Sequence, residues 1–494
     1  MLQRLRGRSG RETEASGLAA ENARLRAENG ELRGTVVELR ATIAQQQARI
    51  DGLELVVSQL QGKLSISSRN SSKPPSSDGP EVPPGPPKNK PQGRKVGAQP
   101  GHAGSTRAPV PIEQVDVVKD LRPLACEACG MLLMGEDPSP VRRQIIDIPP
   151  PKVIVTEYRL HRLSCLGCGC TTQAEAPAGL PESTFGVGVH ALAALLVGRF
   201  RQSKRLVAAL FEVVYGLRVS PGSVCAMEKR VAAALDGPVA QARATLRTAA
   251  VVGKDETGWR LLKTKAWLWV TATDHLAIFT IARGRGSQVV KDLLGESFEG
   301  VVCCDRWSAY VHLATRQLCW AHLLRDFTAM VERFGSPWHG KRLADCAREV
   351  MAAYAERQAG HIDHEAMVRR LEPVRERTRR LLNWAAANAP GWQARSKAGE
   401  ILKHEPYLWT FLTDMAIPVT NNHCERLLRY AVIWRKLSYG CDSEAGARFV
   451  ERILSVCASL QLQRRDIFAY LTESIDAHFH GQPAQSILPL SSEG

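Results

Sequence analysis

The sequence predicts a multidomain α+β protein, and three observations support this fold class. Apolar residues with heptad spacing run through the N-terminal segment, which is typical of a coiled coil. Two Cys-x-x-Cys pairs follow a Pro- and Ser-rich stretch and predict a small zinc-ribbon-like module. Strand patterns then alternate with helix patterns between residues 246 and 460, which predicts an α/β domain.

The composition favours a polyanionic partner. The formal net charge is +15, although charge alone bears on solubility and binding and does not define a fold. Thirteen cysteines are scattered and several lie in apolar runs, which indicates a reduced chain without a disulfide framework. The Arg-rich N-terminus lacks a secretory signal pattern, and no apolar run reaches the roughly 18–20 residues of a membrane span. We therefore expect a cytoplasmic protein without a membrane partner.

Residues 1–66 are predicted to form a leucine-zipper coiled coil that makes a homodimer. Two ladders with alternating offsets of about 4 and 3 residues run through 18–64, one starting at Leu18 and the other at Asn22. Asn or β-branched residues at one heptad position and Leu at the other favour a parallel dimer. A lone amphipathic helix is the alternative. The basic, Pro/Ser-rich linker 67–112 either follows a phosphate backbone or is a solvated tether.

Residues 113–182 are predicted to form a zinc-binding module. Two knuckles, Cys126 with Cys129 and Cys165 with Cys168, can present four thiolates to one structural Zn²⁺, and Cys170 is a substitute for Cys168. The intervening segment 142–163 is predicted to be strand-rich, with both knuckles at the base of a hairpin. Two unrelated cysteine pairs are the alternative.

Residues 183–245 are predicted to form a helical DNA-binding domain. A glycine turn precedes a capped second helix at 221–233, as in a helix-turn-helix, and this helix would present Lys229 and Arg230 to a major groove. Any three-helix bundle gives a similar pattern, so the DNA-binding reading stays open.

Residues 246–460 contain the candidate chemistry. A three-stranded meander, a helix and a fourth strand at 301–305 predict a ribonuclease-H-like layout in which the first and fourth strands are neighbours, bringing Asp255 beside Asp305. A helical insertion covers about 340–415, and a helix capped by Asn421 or Asn422 then carries Glu425, with Arg426 and Arg429 available for phosphate. Residues 461–494 form a small C-terminal segment.

Three carboxylates brought together suit two Mg²⁺ or Mn²⁺ ions, which can clamp the oxygens of a phosphodiester. The alternatives are that Asp255 caps a turn and that Glu425 pairs with Arg429 on the surface.

Several blocks carry a resemblance to a known family. KDETGWR, CCDRWSAY, QLCWAHLLRDF and TNNHCERLLRYAVIWRKLSYG resemble the blocks of the insertion-sequence sixty-six family of bacterial DDE transposases, as do the zipper, the SSRNSSKPPSSD linker and the cysteine knuckles. The resemblance implies that Asp255, Asp305 and Glu425 are a DDE triad that binds two Mg²⁺ ions. It also implies zinc at Cys126, Cys129, Cys165 and Cys168. Cys424 stands where a small residue such as Ala is usual in the family.

The function expected from this resemblance is metal-dependent cleavage and strand transfer of DNA at the ends of an insertion sequence, with accessory transposition proteins as possible partners. Two alternatives remain. One is a sequence-specific DNA-binding protein derived from a transposase without catalysis. The other is a nuclease that cuts without strand transfer.

Overall fold

The computed structural model describes residues 3–64, 66, 67, 70, 71, 107–180 and 183–490. The linker, for which the sequence left open a phosphate contact or a solvated tether, has its basic residues outside the described residues: Arg69, Lys73, Lys88, Lys90, Arg94 and Lys95. Residues 1–83 and 320–405 form one compact unit, and residues 84–319 and 406–494 form a second.

The first unit is helical. It contains helix α1 (Gln3–Leu64), in which the ladder residues from Leu18 to Val57 are solvent-exposed wherever their side chains are described. Its other helices are α7 (Trp320–Glu332), α8 (Pro337–Gln358), α9 (His364–Asn388) and α10 (Trp392–Leu402). Helix α7 packs on α8, and α9 packs on both α8 and α10. The segment predicted to be a helical insertion, about 340–415, is thus largely helical.

The second unit is built on a five-stranded mixed sheet with the order β5-β4-β3-β6-β7. Its strands are β3 (Val251–Leu261), β4 (Thr264–Ala272), β5 (Ala277–Ala282), β6 (Val301–Cys304) and β7 (Arg316–Leu318). Strands β3, β4 and β5 form an antiparallel meander, while β3 pairs parallel with β6 and β6 with β7. The predicted adjacency of the first and fourth strands is confirmed.

Helices surround this sheet. They are α2 (Val187–Gly198), α3 (Lys204–Tyr215), α4 (Pro221–Ala234), α5 (Asp236–Leu246), α6 (Ser287–Leu294), α11 (Asn422–Ser438), α12 (Glu444–Leu462) and α13 (Ile467–Phe479). Helix α11 packs on β3 and β4, and α12 packs on β5. Helices α2 and α4 pack on α12 and α13, so the helices of 183–245 share a core with those near the C-terminus.

Helix α12 also closes the outer edge of the sheet. The backbone N–H groups of Ala277, Phe279 and Ile281 on β5 donate to Ser459 Oγ, Ser455 Oγ and Glu451 Oε1 at 3.0, 2.8 and 2.6 Å. The three acceptors are spaced four residues apart and therefore share one face of the helix. Donors that a neighbouring strand would normally satisfy are thus paired with helix side chains.

The cysteine-rich module differs from the prediction. Its described strands are β1 (Arg162–Ser164) and β2 (Thr171–Gln173), and the segment 142–161 contains no strand. The prediction of a strand-rich segment from 142 to 163 is therefore wrong over most of its length. Apolar residues such as Ile148 and Val155 suggested a strand but are exposed, because no partner strand lies beside them in the described structure.

Among the described helices, none has both the length and the apolar character needed to span a bilayer.

Candidate active site

Two acidic residues lie at matching positions on neighbouring parallel chain segments: Asp255 is on β3, and Asp305 directly follows the end of β6. In the register of β3 and β6, Gly253 lies opposite Cys303. Asp255 comes two residues after Gly253, and Asp305 comes two residues after Cys303. Because side chains alternate along a strand, this register directs both carboxylates to the same face of the sheet. Both residues are half-buried.

The start of helix α11 is held against the same part of β3. Asn421 Nδ2 donates to the carbonyl oxygen of Lys254 at 2.8 Å, and the Asn421 backbone N–H donates to Cys319 Sγ at 3.1 Å. Asn421 occupies the N-cap position as predicted, but within the described structure its side chain makes no capping hydrogen bond. Its amide therefore anchors the helix to the strand.

Gly253 allows this close approach of helix and strand. A Cβ atom at Gly253 would lie 2.6 Å from Cys424 Sγ and 3.1 Å from Asn421 Oδ1. A contact of 2.6 Å is well inside ordinary van der Waals separation. The helix can therefore approach β3 this closely only because position 253 has no side chain.

This contact places the first turn of α11, which carries Glu425, beside β3. It lies in the first turn of α11, is half-buried and directly follows the buried Cys424. Burial raises the pKa of the Cys424 thiol well above its ordinary value, and the negative charges of Asp255 and Glu425 raise it further. The thiol thus lies within electrostatic range of both carboxylates. The Asn421 hydrogen bond and the close approach to Gly253 thus hold the start of α11, with Glu425, against the part of β3 that carries Asp255. The carboxylate oxygens of Asp255, Asp305 and Glu425 do not all lie within 4.8 Å of one another.

Backbone hydrogen bonds orient two of these carboxylates. Asp305 Oδ1 accepts the N–H of Trp307 at 2.8 Å, and Asp255 Oδ1 accepts the N–H of Glu256 at 2.9 Å. A side chain held by neighbouring backbone groups keeps its position when a ligand arrives.

Glu256 points to the opposite face, where it is buried. Its carboxylate accepts a hydrogen bond from Arg285 Nε at 2.8 Å and another from the Tyr310 hydroxyl. Burial raises the pKa of Glu256, while the hydrogen bond from Tyr310 opposes that rise. The Arg285 guanidinium also lies 3.8 Å from the ring centroid of Trp307, which directly follows the Asp305 loop. These contacts brace the loop that carries Asp305.

Lys254 is a second buried polar residue on that face. Its Nζ donates to Thr271 Oγ1 at 2.9 Å and lies 5.4 Å from the ring centroid of Trp269. Burial lowers the pKa of Lys254 to about 7, although the negative charge of Glu256 works in the other direction. The alternation of side chains along VVGKDETG could have predicted that Lys254 and Glu256 share the face opposite Asp255. Nothing in this stretch indicates that the Tyr310 hydroxyl would bond to Glu256.

Basic side chains extend along the helix that carries Glu425. Arg426 and Arg429 are both exposed on α11. The next residue, Tyr430, lies under the guanidinium of Arg199, whose Cζ is 4.4 Å from the ring centroid. A hydrogen bond from Arg199 lowers the pKa of the Tyr430 phenol. The surface beside the three acids is therefore cationic.

Helix α4, predicted to read DNA, is largely enclosed. It packs against α2, α3, α12 and α13, and its Glu228 is buried in an ion pair with Lys204 at 3.0 Å. Lys229 is exposed and Arg230 is half-buried. Because only a narrow strip of this helix reaches solvent, major-groove reading by Lys229 and Arg230 stays a prediction.

Each cysteine knuckle is formed at a tight turn. The N–H of Cys126 donates to Met131 O at 2.8 Å, and the N–H of Cys165 donates to Cys170 O at 2.7 Å. Backbone N–H groups of Ala128 and Cys129 lower the pKa of the Cys126 thiol, and those of Cys168 and Gly167 lower the pKa of Cys165. Stabilised thiolates of this kind fit Zn²⁺.

The thiols of the two knuckles do not form a tight cluster in the described structure. In the part of the chain that the structure describes, no three of their thiols lie within 4.8 Å of one another. The prediction of one hairpin with both knuckles at its base is therefore wrong, because each knuckle lies in its own turn.

The donor atoms at the three acids fit a hard divalent cation. Asp255, Asp305 and Glu425 supply only oxygen, and all three are accessible enough to leave room for water or substrate. Mg²⁺ and Mn²⁺ prefer such carboxylate and water ligands, whereas thiol and imidazole sites favour softer metals.

Comparisons with known proteins identify the class and then the family. Residues 123–169 match the zinc-finger binding domain of a transposase, which points to the transposase class and supports a structural zinc. Residues 185–449, more than half of the chain, match the transposase IS66 family. The chain belongs to this family, and the family predicted from the sequence is confirmed.

Two further similarities carry no assigned activity. Residues 14–108 match a family of unknown function. The chain is also similar to a Sinorhizobium fredii protein called uncharacterized protein y4qI, with 26% identity over 416 residues that cover 75% of this chain and 74% of the relative.

Proposed function

We propose that this protein is a DDE-type DNA transposase whose ribonuclease-H-like domain cleaves and joins DNA at the ends of an insertion sequence. One observation carries the proposal: Asp255 on β3 and Asp305 directly after the neighbouring parallel strand β6 have matching positions, and Glu425 lies on a helix anchored to β3. Family membership supports the same assignment.

In this proposal Asp255, Asp305 and Glu425 are the catalytic residues and hold two Mg²⁺ ions, or two Mn²⁺ ions. When bound, such ions activate the attacking oxygen and stabilise the leaving oxygen of a phosphodiester. Backbone pairing fixes Asp255, the Trp307 N–H orients Asp305, and the Asn421 anchor fixes the helix that carries Glu425.

The exposed arginines of α11 supply the DNA contact. Arg429 follows Glu425 by one helical turn and shares its face, so it can reach a phosphate next to the scissile bond. Arg426, on the adjacent face, extends this contact toward Tyr430 and Arg199. Lys229 and Arg230 would contribute a separate DNA contact from α4.

The cysteine module and α1 serve assembly. Cys126, Cys129, Cys165 and Cys168 together bind one structural Zn²⁺, which would draw the two knuckles together. Helix α1 pairs with the α1 of a second copy in a parallel coiled coil. Its exposed Leu, Ile and Val ladders support this pairing, because such apolar stripes are stable in water only when covered.

The test compares wild type with Glu425→Gln on labelled DNA that carries the ends of the element, in the presence of Mg²⁺. The substitution keeps the shape of the side chain and removes the charge that binds metal. We expect nicked and joined products from wild type, and a loss of at least about 100-fold in both products from the variant. Glu444→Gln, at an exposed acid on α12, is the matched control and should retain activity.

Each of the other possible outcomes contradicts a different part of the proposed function. Equal products from wild type and Glu425→Gln would remove Glu425 from the site. Nicking without joined product by wild type would favour a nuclease. DNA binding without cleavage by wild type, even with accessory transposition proteins added, would favour a DNA-binding protein without catalysis.

A further inference from the structure

Three exposed tryptophans lie at one end of the helical insertion. Trp338 is at the start of α8, Trp384 is near the end of α9, and Trp392 is at the start of α10, with exposed fractions of 55%, 50% and 69%. Short connections make consecutive packed helices antiparallel, so these positions meet at the same end of the bundle. Exposed indoles grouped in this way are typical of binding surfaces.

Two of these rings form a defined surface, which we call the indole platform: Trp338 and Trp384. Their ring centroids are 6.3 Å apart. The His339 imidazole stacks on one face of Trp384, with centroids 4.2 Å apart and an interplanar angle of 18°. Because His339 covers one face of Trp384 and half of the residue is exposed, we infer that the other face is the one that reaches solvent.

The inner side of the platform is fixed in place. His339 Nδ1 is 2.9 Å from Ser336 Oγ, and the residue is only 5% exposed. Its Nε2 is buried without a hydrogen-bond partner among the described residues. Burial lowers the pKa of His339, so the ring stacked on Trp384 is neutral at neutral pH. A rigid, uncharged backing presents the outer face of Trp384 in one orientation.

Basic residues predominate in the two segments that carry the platform, and the next acid along α8, Asp345, is paired with Arg348 at 2.6 Å. The segments 333–344 and 379–399 contain Lys and Arg but no Asp or Glu. The guanidinium of Arg342 lies over Trp338, with Cζ 4.7 Å from the ring centroid. The helix starts at Pro337 and Trp392 add the partial positive charge of their free N–H groups. The ligand that fits this surface is therefore both aromatic and anionic.

We propose that the indole platform binds an unpaired DNA base, which stacks on the open face of Trp384 while Arg342 contacts the adjoining phosphate. This inference rests on the proposed function, in which DNA is the substrate. Bases in a duplex are stacked on their neighbours, so only a base that has left the helix can reach the platform. The insertion thus holds a nucleotide that is unpaired when strands are cut or exchanged.

The test uses full-length protein without divalent metal, so that binding is measured apart from cleavage. The probe is a DNA duplex with one bulged 2-aminopurine, whose fluorescence falls when the base stacks on an indole, and the reference is the same duplex fully paired. Wild type should quench the bulged probe and bind it more tightly than the paired duplex. Trp384→Leu should weaken binding of the bulged probe by roughly tenfold or more and leave the paired duplex within about twofold.

Two further variants separate stacking from a general loss of structure. Trp384→Phe keeps an aromatic face and should retain most of the quenching. Tyr354→Leu changes an aromatic residue in the C-terminal part of α8, away from the platform, and should behave as wild type. A Trp384→Leu protein that binds the paired duplex normally is folded, so its loss of quenching would support stacking.

The contrary outcomes are distinct. Wild type that binds the paired duplex but does not quench the bulged probe would overturn this inference and leave the proposed function intact. Equal quenching by wild type and Trp384→Leu would also overturn it. Failure of wild type to bind either duplex would overturn the proposed function and this inference together.

Discussion

Replacing Gly253 by Ala tests whether the approach of α11 to β3 sets the position of Glu425. The new methyl group would lie 2.6 Å from Cys424 Sγ, about 1 Å closer than an ordinary contact. The start of α11 must therefore move by about 1 Å. Overpacking of this kind costs about 1–3 kcal/mol, partly offset by about 0.5–1 kcal/mol because Ala suits a strand better than Gly.

The effect on activity should exceed the effect on stability. A displacement of about 1 Å at a reacting centre can reduce the rate by roughly 100-fold. We expect Gly253→Ala to lower the free energy of unfolding by about 1–2 kcal/mol in urea titrations and to reduce strand cleavage by roughly 100-fold. The two measurements together separate misplacement from unfolding.

A compensating substitution at Cys424 tests whether the contact with position 253 causes the loss of activity. Cys424→Ala removes the sulfur atom that the new methyl group would strike, which leaves only the 3.1 Å approach to Asn421 Oδ1. The double variant Gly253→Ala/Cys424→Ala should recover most of the lost activity and show a favourable coupling energy in a double-mutant cycle. Full activity and stability in Gly253→Ala alone, or no recovery in the double variant, would refute the proposed role of this contact.

Three other predictions concern a buried lysine, the sheet edge and the zinc module. The folded pKa of Lys254 is about 7 against an ordinary value of 10.5, so the unfolded chain binds more protons between these values and the stability should rise with pH across this window. From pH 7 to pH 9 wild type should gain about 2 kcal/mol in free energy of unfolding relative to Lys254→Met, measured by urea titration. Ser455→Ala leaves the Phe279 N–H buried without its acceptor and should cost about 1–3 kcal/mol by the same method. Cys165→Ser should lower the zinc content of purified protein, measured by atomic emission.

Matched controls accompany these variants. Lys265→Met, at an exposed lysine, should leave the pH dependence unchanged, and an equal slope in Lys254→Met and wild type would contradict the buried-lysine argument. Ser308→Ala, at an exposed serine, should be nearly neutral, and a similar value for Ser455→Ala would show that the edge N–H finds another acceptor. Cys170→Ser should retain zinc, and zinc loss in Cys170→Ser would make Cys170 a ligand in place of Cys168.

The strands and helices around the acids could be predicted because their signals are local. The run from Val301 ends directly before Asp305, and the predicted helix between the meander and this strand is present at Ser287–Leu294 because its apolar residues repeat with helical spacing. Their adjacency followed from the order of strands and helices along the chain.

Contacts between distant elements could not be predicted from spacing. Asn421 reads as an ordinary helix cap, and nothing in its neighbourhood indicates that its amide bonds to Lys254 O, far away in the sequence. The indole platform joins Trp338 to Trp384 across two helices. The wrong prediction of strands at 142–163 has the same cause. A strand needs a partner strand, and the apolar pattern near Ile148 does not specify which segment would pair with it.

The side chains of α12 that bond to β5 limit how this sheet can take part in assembly. An uncovered edge strand can recruit a strand from another molecule, which leads to domain swapping or to fibrils. Here a recruited strand would first have to displace a whole helix and break the bonds from Ala277, Phe279 and Ile281. Growth of the sheet past β5 is therefore blocked, and copies of this protein that meet on DNA must join through other surfaces.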